Sequence, residues 1–208
     1  VLLLSAVFFF VFLGAGAQQA FLLPYLAGFT SWNDLQRGMV IALVYLSMTV
    51  FRLGNVYLLR GWSQWLCTMV GAGTYVLFCL LMWLLYYLPS YPLALLAAAV
   101  WGWGGAAMWM GSTIQTLALS ESAKRQGTAM GVLYAATHAG WMLGVIVLGV
   151  IFDATEHTRP WMLYAVATGL TAVGNVLLLA MPRYAEPLPE MPSWGALREI
   201  MSRVKARV

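Results

Sequence analysis

Seven amide or ionisable side chains within the long apolar runs of this sequence are candidate site residues, because a buried polar group usually has a specific partner or role. Each could bind a solute or ligand, because polar groups inside a membrane usually face a cavity or a partner. Each could instead form a structural hydrogen bond to a neighbouring helix. The seven are Gln18, Gln19, Arg52, Asn55, Gln115, His138 and Asn175.

His138 has the widest range of possible chemistry. Its imidazole could couple protons or contact a substrate, because histidine changes charge near neutral pH. It could instead be an axial ligand to a pigment or a haem. The third interpretation is a neutral histidine that is hydrogen-bonded to a neighbouring helix. A bis-histidine haem is disfavoured, because the other histidine, His157, falls in a polar outer turn.

The remaining candidates differ in how freely they can face a cavity. Successive residues on a helix point about 100° apart, so at most one of Gln18 and Gln19 looks straight at a given partner. Arg52 precedes Arg60 by roughly 12 Å of helix, so it can extend to the inner interface or pair with an anion. For the other three amides, we expect helix-to-helix hydrogen bonds.

The composition indicates which elements must position these side chains. Hydrophobic residues make up 62% of the 208 residues and charged residues only 9%, too little polar surface for a water-soluble globule. The long apolar runs predict six transmembrane helices, since about 20 apolar residues cross a bilayer. The predicted spans are residues 1–28, 38–59, 62–87, 92–119, 127–152 and 160–181. Residues 183–208 are predicted to form a proline-rich cytoplasmic linker and a basic amphipathic helix.

The positive charges predict the orientation. With both termini in the cytoplasm, nine lysines and arginines lie inside, and only Arg37 and Arg159 lie outside. The net charge of +4 then reflects membrane orientation, and nucleic-acid binding is not expected. We expect an integral protein of a bacterial inner membrane.

Enzyme chemistry finds no support in the motifs. The sequence has no phosphate-binding loop, no metal-spaced Cys and His set, and all seven acids are predicted in loops or the tail. We expect neither an enzyme nor a metal site. No cofactor is predicted, although a pigment or a lipid could bind, with His138 as the pigment ligand.

Small residues indicate where helices approach closely. Ala136, Gly140 and Gly144 follow each other four residues apart, which places them on one helix face. Gly104 and Gly111 are seven apart on one face of the fourth span. We interpret both sets as helix-packing positions.

The loop before the fifth span carries a family resemblance. Arg125, Gly127, Met130 and Gly131 match an "RG.AMG" loop, and Gly140, Gly144 and Gly149 match the glycine-rich helix that follows it. The chain thus resembles one half of a major facilitator superfamily transporter. The resemblance implies a six-helix bundle that works with a second bundle, with both termini inside.

The loop between spans two and three departs from the family's other landmark, "GYLADRxGRR". It reads "VYLLRGWSQW", so Arg60 stands in place of the aspartate and Ser63 in place of the glycine. In the family, this charged cluster is thought to lock bundle against bundle during transport.

Two functions are therefore expected from the sequence. The first is a transporter half that moves a small solute by alternating access together with a second six-helix bundle. The alternative is a non-transporting subunit of a larger membrane complex, for instance a pigment-containing photosynthetic one, since a broken loop motif and ten tryptophans suit stable lateral contacts. The lipid bilayer is a partner in both.

Overall fold

Six helices account for the regular structure of the described residues. The computed structural model describes residues 1–121 and 124–183, and only the backbone of Glu121. All six helices are long and apolar enough to cross a membrane. They are α1 Leu2–Phe29, α2 Asp34–Leu58, α3 Gln64–Tyr87, α4 Tyr91–Glu121, α5 Gln126–Thr155 and α6 Met162–Leu179. The predicted linker and amphipathic helix lie outside the described residues, apart from Arg183.

A local cap sets the start of α2, which the apolar pattern alone places too late. Asn33 accepts a hydrogen bond from the Gln36 backbone N–H at 2.8 Å, and the Gln36 side chain accepts one from the Asn33 N–H at 3.0 Å. This reciprocal capping box begins α2 at Asp34, four residues before the predicted start. Three acids predicted in loops, Asp34, Glu121 and Asp153, lie instead in the end turns of helices. The prediction was wrong there because charge marks a membrane boundary and not a helix end.

The packing divides the bundle into two sets of three helices. α1 packs against α5 and α6, and α4 packs against α2 and α3. α3 also packs against α6. The first and last three helices of the chain are equivalent in this pattern. α1 contacts α5 and α6 in the way that α4 contacts α2 and α3, and the contact between α3 and α6 is its own equivalent. α2 and α5 are the least buried of the six helices.

The core of the bundle is rich in aromatic rings. Phe78 stacks on Trp101 with ring centroids 4.2 Å apart, and Tyr75 meets the same indole edge-on. Tyr25 packs against Tyr164 at 4.5 Å. Such ring pairs add to the packing of helices that gain little hydrophobic stabilisation from each other in lipid.

Glycines allow the closest helix approaches. A Cβ on Gly140 would meet the carbonyl group of Phe9, and one on Gly144 would meet the carbonyl oxygen of Leu13, so both face the backbone of α1. Ala136 on the same helix is half-buried. In α4, Gly104 lies against Thr74, and Gly111 lies against the Gln64 carbonyl and Thr68, both on α3. Each set therefore lies where two helices meet.

Candidate functional site

The middle of α1 is not a regular α-helix. Phe12–Gly16 is a π-helical turn, and Ala17–Phe21 is a 3-10 turn. The sequence there, "FLGAGAQQAF", places small residues where α1 meets its neighbours. The Ala15 N–H donates to the Thr171 hydroxyl of α6 at 2.8 Å. Irregular backbone inside a membrane needs such a partner, and π-helical turns often occur at functional sites.

This irregular segment directs the two glutamines to different places. Gln18 is fully buried, and its side-chain oxygen accepts a 2.6 Å hydrogen bond from the Tyr164 hydroxyl of α6. Gln19 is half-buried, and its oxygen accepts a 2.9 Å hydrogen bond from the Tyr45 hydroxyl of α2. Gln18 therefore links α1 to α6 in the interior, whereas Gln19 lies at an open face of the bundle.

Four helices, α1, α2, α4 and α5, line that open face. It contains two adjoining depressions, which we call the groove. The first, of about 350 Å³, is lined by Arg52, Ala106, Trp109, Met110, Thr113, Ile114 and Tyr134. The second, of about 320 Å³, is lined by Phe12, Gly16, Gln19, Trp109, Tyr134, Thr137, His138 and Trp141.

A stacked aromatic pair joins the two depressions. Trp109 of α4 and Tyr134 of α5 stack with centroids 5.6 Å apart and planes 21° apart, and both line each depression. Phe12 of α1 meets Trp109 edge-on at 5.8 Å. The groove thus has a wall of three rings from three helices.

Two ionisable groups face the groove, one in each depression. Arg52 and His138 are both exposed, and no acidic residue whose side chain is described lines either depression. Among the acids whose side chains are described, Asp34, Asp153 and Glu156 lie at or just beyond helix ends. Arg52 precedes the end of α2 by six residues, roughly 9 Å of helix. The described part of the groove therefore carries the permanent positive charge of Arg52 and no carboxylate.

The other predicted site residues lie away from the groove. Asn55 is buried, and its amide donates to the Trp103 carbonyl of α4 at 3.3 Å. Asn175 donates to the Ala72 carbonyl of α3 at 3.2 Å. Gln115 is also buried, and its amide atoms have no hydrogen-bond partner among the described residues. The structure thus gathers Gln19, Arg52 and His138 from the predicted set. Gln18, Asn55 and Asn175 form hydrogen bonds between helices, whereas the bond expected for Gln115 is not found.

The donor atoms for a metal or cofactor are few. In residues 1–121 and 124–183, no three His, Cys, Asp or Glu residues come together as a metal site would require. Cys67 and Cys79 are free and buried. Within the described groove, His138 offers an exposed nitrogen ligand, as an axial pigment ligand would, whereas the exposed His157 lies in the turn after α5.

Several groove residues, among them Trp109, Tyr134 and Trp141, were not among the predicted site residues. Tyr134 and Trp141 stand four residues before and three residues after the predicted His138 on α5, and Tyr45, whose hydroxyl donates to Gln19, stands seven residues before the predicted Arg52 on α2. This spacing puts each set on one helix face, and it is the signal that could have identified them. The spacing alone does not show whether a helix face is exposed, since residues on a buried face have the same spacing.

Searches of protein-family models and of curated proteins find no significant match to this sequence. The geometry of the groove therefore carries the functional assignment.

Proposed function

We propose that this chain is one six-helix half of a transporter similar to the major facilitator superfamily. It moves a small solute by alternating access, and a second six-helix bundle covers the groove. The second bundle is another chain, a second copy, or a further part of a longer protein. The chain supplies one wall of the pathway and performs no covalent chemistry.

The groove is the observation that carries this proposal. Gln19, Arg52 and His138 project from three helices onto one open face, although each could have been buried or replaced by an apolar residue in a bundle that only packs in lipid. Polar groups at membrane depth face water-filled cavities or partners. A solute pathway between two bundles provides both.

The packing of the six helices also supports it. Many transporters consist of internal repeats of inverted topology, with the substrate site at the repeat interface. Here α1 and α4 occupy equivalent places in the packing pattern, and both line the groove beside the two least buried helices. The irregular turn of α1 lies at this interface, as broken helices do in transporters.

We place the protein in a bacterial inner membrane with both termini in the cytoplasm. Lys124 and Arg125 then lie inside, and Ser31 lies outside. In intact cells, a Ser31→Cys variant should react with a membrane-impermeant maleimide, whereas a Lys124→Cys variant should not. Reaction at position 124 from outside would reverse the orientation.

A structural subunit of a larger complex is the second candidate. The replacement of the family's loop aspartate by Arg60 favours it, because the charged lock between bundles is altered. In this case a partner helix or a pigment bound to His138 would fill the groove. The purified particle would then be a large assembly, with or without a pigment absorption band, instead of a pair of bundles.

Two-sided labelling tests the transport proposal. His138→Cys places a thiol in the groove, and Leu143→Cys places one five residues along α5, on the exposed apolar surface. A polar, impermeant thiol reagent should modify position 138 both in intact cells and in inside-out vesicles, because an alternating pathway opens to each side in turn.

The control should remain unmodified, since a thiol in lipid does not ionise and meets no polar reagent. The buried Cys67 and Cys79 stay in both variants and should react only after denaturation. Labelling of position 138 from neither side would overturn the transport proposal and favour the structural subunit.

A further inference from the structure

We infer that the groove binds a small organic anion with a flat apolar body, such as an aromatic carboxylate. The inference rests on the proposed transport function, since it names the class of solute that the pathway would carry. Three observations support it: the sign of the charge, the aromatic wall and the size of the groove.

The charge of the groove selects an anion. Arg52 lines the first depression and His138 the second, and no acidic side chain of residues 1–120 and 124–183 lines either one. An arginine is always protonated and presents a planar fork that suits a carboxylate. At membrane depth its charge needs a counter-charge, and the described acids lie at helix ends. A carboxylate ligand provides that charge and accepts hydrogen bonds from the guanidinium.

The lining of the groove selects a flat apolar body. Trp109 and Tyr134 stack in parallel beside Arg52 and border both depressions. Trp141 lines the second depression together with Phe12. Aromatic side chains favour ring partners in offset or edge-on geometry, so a planar ring gains more here than a compact inorganic anion. Thr113 and Gln19 supply the few neutral polar contacts that can orient a ligand.

The size of the groove limits the ligand to a small molecule. Each depression, at about 350 or 320 Å³, is at the lower end of the roughly 300–1,000 Å³ typical of ligand pockets. One or two rings fit this space. A folded peptide or a nucleotide chain does not.

Fluorine NMR with matched probes tests the inference. The purified particle is placed in nanodiscs of neutral lipid and titrated with 4-fluorobenzoate, its neutral analogue 4-fluorobenzamide, or the ringless anion fluoroacetate. We expect saturable line broadening of 4-fluorobenzoate, with at least tenfold weaker binding of each analogue. Equal binding of the benzamide would overturn the anion class, and equal binding of fluoroacetate would overturn the aromatic class.

Two arginine variants locate the site. Arg52→Gln should abolish the preference for benzoate over benzamide. Arg37→Gln, on the same helix but paired with Asp34 at the outer end, should leave the preference unchanged. Arg52→Lys, which keeps the charge and loses the fork, should retain a weaker preference. An unchanged preference in Arg52→Gln would remove Arg52 from the site.

The failure of this inference is distinguishable from failure of the transport proposal. Two-sided labelling of His138→Cys does not depend on the charge of the ligand. Labelling from both sides without a benzoate preference would overturn the anion class alone. Labelling from neither side would overturn the transport proposal, whatever the probes show.

Discussion

Two faces of α5 differ in side-chain size and in exposure. One face carries Gly140 and Gly144 and lies against the backbone of α1. The other carries Tyr134, His138 and Trp141 and is exposed in this chain. The first has side chains reduced to hydrogen so that two backbones meet. The second has large polar and aromatic side chains and lines the groove.

Under the proposed function, the contrast separates the stability of the chain from ligand binding. Helices in lipid gain little from burying apolar surface, so the first face is stabilised by close packing. Polar groups at the second face gain nothing from lipid, so their value depends on water, a ligand or a partner. Changes to the first face should therefore reduce stability, and changes to the second should reduce binding.

The largest expected effect is at the packed face. Gly144→Leu would push a side chain into the Leu13 carbonyl and Ala17, so α1 and α5 must separate. We expect a loss of about 3 kcal/mol in the free energy of unfolding, at the upper end of the usual overpacking cost. Unfolding in mixed micelles measures it.

Gly131→Leu is the matched control on the same helix. A Cβ there meets no atom within 4 Å, so we expect a change near zero. Equal stability of the two variants would mean that α1 and α5 do not pack through these glycines, and the contrast between the two faces would be lost.

A smaller effect is expected at the irregular turn of α1. Thr171→Val keeps the shape of the side chain but removes the acceptor of the Ala15 N–H. An unsatisfied backbone donor away from water costs about 1–2 kcal/mol. Thr168→Val is the control, because the Thr168 hydroxyl donates only to the Tyr164 carbonyl of its own helix.

Hydrogen exchange at the Ala15 amide gives a local measurement of the same contact. It should accelerate in Thr171→Val and not in Thr168→Val. Similar exchange in both variants would show that Thr171 does not hold the turn.

The smallest effects separate the two glutamines. Tyr164→Phe removes the buried hydrogen bond to Gln18 and should cost about 1 kcal/mol of unfolding free energy. Tyr45→Phe removes the bond to Gln19 at the open face, where water can replace it, and should change stability by less than about 0.5 kcal/mol. A larger loss in Tyr45→Phe would mean that Gln19 is structural and not part of the groove.

Much of the fold follows from the sequence because its signals are local. Long apolar runs predict six spans whose ends agree with the helix ends within four residues. The glycine spacing on α5 marks a packing face without any knowledge of the partner helix. The Asn33 cap is also local, and the pattern Asn-x-x-Gln could have shown that α2 begins earlier.

The candidate site is harder to predict from the sequence because it depends on contacts between helices that are distant along the chain. Helix geometry predicts that Gln18 and Gln19 point apart, but which of them is buried depends on Tyr164 of α6 and Tyr45 of α2, which are distant in the sequence. Trp109 and Tyr134 stack only after α4 and α5 pack together. Arg52, Asn55 and Gln115 have similar surroundings in the sequence, yet the first is exposed at the groove and the other two are buried.

Spin labels along α5 test most directly whether its groove surface is exposed to water while its exposed apolar surface contacts lipid. Labels at positions 138 and 141 report on the groove, labels at 143 and 150 report on the exposed apolar surface, and Leu148 provides a buried reference. Collision rates with a water-soluble nickel chelate and with oxygen, which concentrates in lipid, would be measured in bilayers. We expect nickel access at 138 and 141, oxygen access at 143 and 150, and little of either at 148. Exclusion of nickel from 138 and 141, with oxygen collisions equal to those at 143, would show that lipid or protein fills the groove and would contradict a solute pathway there.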